Sequence, residues 1–106
     1  MKELLKDNYK EILNNDNLSL VLFKIEGCSP CTAIERKIKT KENDYKNWRF
    51  YQINLTRFRE ISGVFEVFTS PTIILFNKGK ELTRFSRNFS LNSITEYIKR
   101  VEENLF

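Results

Sequence analysis

Histidine is absent from this 106-residue chain, and cysteine occurs only at Cys28 and Cys31. These scarcities exclude several chemistries. Zinc and iron–sulfur centres usually take four Cys or His ligands, so one chain supplies too few, and only two copies pooling thiols across a dimer would complete a four-thiolate set. Covalent haem attachment needs a histidine directly after the second cysteine, where Thr32 stands. A cysteine hydrolase normally needs a histidine base. Two cysteines this close cannot form the multi-bridge framework of a small secreted scaffold. A bridge between them would close too short a loop to act mainly as a stabiliser.

Long apolar runs are missing as well. "LSLVLF" and "TIILF" fall far below the roughly 20 residues of a membrane-spanning helix, so no membrane partner is expected. The start, "MKELLKDNYKEILNND", carries charges where a signal peptide needs an apolar stretch, and a cytoplasmic protein is expected. The net charge of +4 arises from 18 basic and 14 acidic residues that are interspersed, as on a solvated surface. Trp48, Phe50 and Tyr51 lie among Lys46 and Arg49, and "RFSRNF" repeats the mixture. Bases can stack on such aromatics, but aromatics alternating along a strand pack a core, and no nucleic-acid partner is expected. The 41% apolar fraction fits one packed domain over residues 1–106.

Periodicity supplies the elements. Leu4, Leu5, Tyr9, Ile12 and Leu13 predict a helix from Lys2 to Asn14. "LSLVLFKI" predicts a strand covered on both faces. Ala33, Ile34 and Ile38 mark a helix from about Ser29 to Lys41, with Pro30 in its first turn, where a missing N–H is harmless. "WRFYQINL" alternates as a strand, and Thr56 is placed to cap a short helix carrying Phe58 and Ile61. A hairpin follows, with strands at Thr72–Phe76 and Glu81–Ser86 and a turn at Asn77–Lys80. The last helix runs from about Leu91 to Glu103 behind a Ser90 cap. The order α-β-α-β-α-β-β-α predicts an α/β fold, a mixed sheet with helices on both faces.

Gly27 ends a strand and Ser29 opens a helix, which puts Cys28 beside unpaired N–H groups at the positive helix end, where a thiolate is favoured. Cys28 is then the attacking sulfur. Cys31, one turn on, faces back and can expel a product from the mixed disulfide. The alternatives are two incidental core cysteines and the dimer-bridged metal site.

At this point the chain resembles the thioredoxin family, through "LVLFKIEGCSPC", "FEVFTSPTIILFNKGK" and the closing amphipathic helix, a likeness that runs from Met1 almost to the last residue. The resemblance implies the thioredoxin fold, a four- to five-stranded sheet with the cysteines at an exposed helix start. It also implies a dithiol that exchanges with protein disulfides, without a bound cofactor. Family members often have a strand before the first helix; none is expected here. From the residues alone Pro71 reads as a trans proline opening a strand. The resemblance makes "TSPT" a cis-proline loop in which Ser70 pairs with a substrate strand, so the implied substrate contacts are Ser29, Pro30, Thr69, Ser70 and Pro71.

The sequence departs from that pattern at several points. Leu22 stands where many thioredoxins carry a buried aspartate, and Gly27 and Lys24 replace tryptophans. Lys24 would lower the Cys28 pKa and Glu26 would oppose it, unless both charges simply reach solvent. Arg87 aligns with a glycine that lets substrate approach. The expected function is a thiol–disulfide oxidoreductase, a monomeric reductant of protein disulfides supplied with electrons by a protein donor such as a thioredoxin reductase. The alternative is a non-catalytic adaptor that binds a partner beside Pro71.

Overall fold

The computed structural model describes residues 1–105. Its elements are β1 (Lys2–Glu3), α1 (Tyr9–Asn15), β2 (Leu18–Lys24), α2 (Ser29–Lys39), β3 (Arg49–Asn54), α3 (Arg59–Phe65), β4 (Thr72–Asn77), β5 (Lys80–Ser86) and α4 (Leu91–Leu105). The five strands lie in the order β1-β3-β2-β4-β5. β1, β3 and β2 are parallel, and β4 and β5 add antiparallel to β2.

The central position of β2 follows from its sequence. Leu18 to Phe23 are all buried, so successive side chains feed the two faces of the sheet in turn. Leu18, Leu20 and Leu22 pack with Ile34 and Ile38 of α2 and Ile94 and Ile98 of α4. Val21 and Phe23 pack in the opposite layer with Tyr9 and Leu13 of α1 and Ile61 of α3. Phe65 lies among rings there, 5.2 Å from Phe23, 5.6 Å from Phe76 and 5.7 Å from Tyr9 between centroids. These tilted and edge-on pairs suit the aromatic quadrupole.

The chain start differs from expectation. The first helix begins at Tyr9, not Lys2, and a short strand precedes it. Leu4 is fully buried and donates its N–H to the Gln52 carbonyl at 2.8 Å, while Asn8 Oδ1 accepts from Leu5 N–H and turns the chain into α1. Pairing to β3 thus overrides the helical spacing of Leu4 and Leu5; a two-residue strand leaves no period to detect. Thr56 caps nothing: α3 starts at Arg59, and Thr56 Oγ1 instead accepts the Glu26 N–H at 3.0 Å.

Two contacts fix the loops on either side of β4. Lys78 and Gly79 have φ of 52° and 79°, the left-handed pair of a tight hairpin turn, and a Cβ on Gly79 would strike the Asn14 side chain. Arg84 on β5 reaches across to the end of α3, donating to the Phe65 carbonyl at 2.9 Å and the Glu66 carbonyl at 3.0 Å while paired with Glu81. Helix ends leave such carbonyls unpaired, so the guanidinium anchors the loop that leads to Pro71. Ser90 Oγ accepts the Ser93 N–H at 3.2 Å at the start of α4.

Candidate redox site

β2 delivers the chain to one end of the sheet at Lys24, and Gly27, with φ of 72°, turns it into α2. Only glycine adopts that conformation freely. Cys28 is the N-cap of α2, and its Sγ accepts the Cys31 N–H at 3.2 Å. Pro30 occupies the first turn, where its missing donor leaves no bond unmade. Cys28 and Cys31 form a disulfide with a Cα–Cα separation of 5.2 Å. The two sulfurs sit differently: Cys28 is half-buried, and Cys31 is 1% exposed.

β4 brings the second motif to the same end of the sheet. Thr72 pairs in register with Phe23 on one side and Ser86 on the other, so Pro71 lies beside the end of β2 that leads to the cysteines. The Ser70–Pro71 peptide bond is cis, Pro71 is buried, and Thr72 Oγ1 donates to the Thr69 carbonyl at 2.8 Å.

Two depressions flank the cysteines. Lys24, Glu26, Cys28, Ser29 and Cys31 line a cleft of about 540 Å³, together with Glu35, Arg36 and Asn54. On the other side Ser70 lines a groove of about 370 Å³ with Leu55, Arg59 and Phe68. Ile25 borders both and is 43% exposed, and Phe68 is 77% exposed. Of the residues expected from sequence, Lys24, Glu26, Cys28, Ser29 and Cys31 line this polar cleft and Ser70 lines the more apolar groove, while Pro30, Thr69 and Pro71 line neither.

Lys24 does not simply reach solvent. Its ammonium lies 3.2 Å from Glu35 Oε1, and Lys39 lies 3.0 Å from Oε2. Partial burial raises the Glu35 pKa, but hydrogen bonds from Lys39 and Lys24 outweigh it and hold the carboxyl below the usual range. Glu26 is exposed and accepts from Asn54 Nδ2 at 3.4 Å. Glu35, Asn54 and Phe68 were not anticipated; only the i, i+4 relation of Cys31 and Glu35 on α2 could have flagged the first.

Arg87 lies one register step beyond the Thr72–Ser86 pair, opposite Pro71, with φ of 62°. An L residue is strained there. Arg87→Gly is expected to raise stability by about 0.5–1 kcal/mol, read as a higher urea midpoint at unchanged slope.

Among the described residues no group of three or more His, Cys, Asp or Glu is placed to hold a metal ion, and no helix is long and apolar enough to cross a membrane.

The thioredoxin family model matches residues 1–100. A thioredoxin of Acetoanaerobium sticklandii is 32% identical over 89 residues, covering 82% of this chain and 85% of its own. One of Mycoplasmoides gallisepticum is 26% identical over 94 residues, covering 89% and 94%. Among solved structures, a thioredoxin of Chlamydomonas reinhardtii superposes with a TM-score of 0.87 at 19% identity, covering 95% of both chains. One of Fasciola hepatica gives 0.84 at 24% identity, covering 94% of this chain and 98% of its own.

Proposed function

The chain belongs to the thioredoxin family and is a thiol–disulfide oxidoreductase, and from that premise we propose that it works as a reductant of protein disulfides, with Cys28 attacking and Cys31 resolving. The observation that carries the roles is the difference between the two sulfurs. Cys28 caps the helix, half-exposed, and its Sγ accepts a backbone N–H, so its thiolate is both reachable and stabilised. Cys31 is buried, so a substrate reaches it only through a disulfide already formed on Cys28.

The direction follows from what the thiolate lacks. A strongly oxidising dithiol needs a reduced form that is heavily stabilised. Here the Lys24 ammonium is engaged by Glu35, and Glu26 is negative, so Lys24 and Glu26 give the Cys28 thiolate little net help beyond the helix end. Substrate is held by Ser29 and Pro30 on one side and by Thr69, Ser70 and Pro71 on the other. The Ser70 backbone adds to an extended substrate segment, and Ile25 and Phe68 cover it. Electrons come from a protein donor such as a thioredoxin reductase, the protein acts as a cytoplasmic monomer, and no cofactor beyond the disulfide takes part.

The test is an equilibrium titration in dithiothreitol and glutathione buffers, with free thiols read by alkylation and mass. A two-electron midpoint more negative than that of the glutathione couple is expected. A less negative midpoint would reassign the protein as an oxidase or isomerase.

A further inference from the structure

Resolution by Cys31, the role assigned to it above and on which the following rests, requires that its thiol first lose a proton, because only the thiolate attacks a disulfide. Burial opposes that loss. The packed layer of the sheet beneath α2 offers no help, because Leu20, Leu22 and Ile73 are aliphatic and fully buried.

The polar cleft offers a route. Cys31 and Glu35 both line it, with Lys24 and Asn54 facing them from the sheet. Residues four apart share one helix face, so Cys31 and Glu35 stand on the same side of α2 and both border the cleft. Lys24 and Lys39 each hold one of its oxygens. The other charged groups facing the cleft are Glu26, which is exposed and bonded to Asn54, and Arg36 at the exposed rim. A polar space of about 540 Å³ admits several waters.

We propose that Glu35 accepts the Cys31 proton through water in this cleft, with Lys24 and Lys39 as positioning residues. As the proton leaves, Cys31 Sγ bonds to Cys28 Sγ, the bond between Cys28 and the substrate sulfur breaks, and the substrate leaves as a thiolate with the electron pair. The substrate disulfide has then gained two electrons and the dithiol has lost two. Glu35 passes the proton to the departing thiolate, a much stronger base, or to solvent. The carboxyl held by the lysines is ionised at neutral pH but only weakly basic, so it carries the proton transiently and the more basic thiolate draws it onward.

The reaction of the reduced protein with the chromogenic disulfide of thionitrobenzoate separates the two steps, since attack by Cys28 releases one coloured thiolate and attack by Cys31 a second. In stopped flow at neutral pH, Glu35→Gln should not slow the first release, which freeing Lys24 can only favour, and should slow the second about tenfold, below the usual range for acid–base catalysis because cleft water takes part of the load. The pH profile of the second release should move upward, and Glu35→Asp, which keeps a carboxylate, should recover much of the rate. An unchanged second release and profile in Glu35→Gln overturns the proposal, as does equal slowing of both releases, which would mark a structural effect. If the unmodified protein gave no second release, the resolving role of Cys31 would itself be overturned.

Discussion

Cys28→Ser is expected to lower the rate of protein-disulfide reduction by at least about a thousandfold, to the background set by the reductant alone. Serine keeps the helix cap, since its hydroxyl can accept the Cys31 N–H as Sγ does, so folding is preserved while the nucleophile is removed. Cys31→Ser should behave differently. Cys28 still attacks, nothing expels the product, and the protein accumulates as a mixed disulfide with its substrate, visible by mass after acid quenching. The pair also tests the adaptor reading, because a binding module keeps its partner and its effect when both cysteines are serine. Equal activity of Cys28→Ser and the unmodified protein would sink the assignment of Cys28 as nucleophile.

The largest loss of stability is expected at Phe23. Its ring is fully buried in the layer with α1 and α3, against Phe65 at 5.2 Å. Phe23→Ala removes that area from the core and leaves a cavity that the surrounding rings of Tyr9 and Phe76 fill only in part, a cost of about 3–5 kcal/mol. Domains of this size have about 5–15 kcal/mol in total, so a large share of the margin disappears. Urea unfolding followed by tryptophan fluorescence should show a lower midpoint at unchanged slope. A loss below about 1 kcal/mol would mean that the ring aggregate repacks, contrary to a core close-packed around Phe65.

The strands and long helices were legible because their apolar periods are strong: the unbroken run of β2, the alternation of β3, and the stripe of Ile94 and Ile98 on α4. The misread start shows the limit. Leu4 and Leu5 fit a helical period, yet Leu4 is taken by an edge pairing to Gln52, a contact so distant along the chain that no local window contains it. Thr56 failed as a cap for a related reason: its hydroxyl was claimed by Glu26, brought near only by the parallel pairing of β2 with β3. At the site, the cysteines and their helix junction were readable from spacing. The partition into a polar cleft and an apolar groove was not, because it depends on how far Lys24 reaches across to α2. That Lys24 meets Glu35 there, on a different element, follows from tertiary packing alone.

The sheet margins carry a consequence for how copies of the molecule meet one another. One margin is the two-residue β1, too short to template another strand. The other is β5, studded with Lys80, Glu81 and Arg84, and its register with β4 shifts between Leu75 and Phe76. Short margins, charges and irregular register all impede edge-to-edge stacking and the fibrillar assembly it begins. Strands of other copies therefore find little open backbone to pair with at either margin, and the molecule resists aggregation with its own kind.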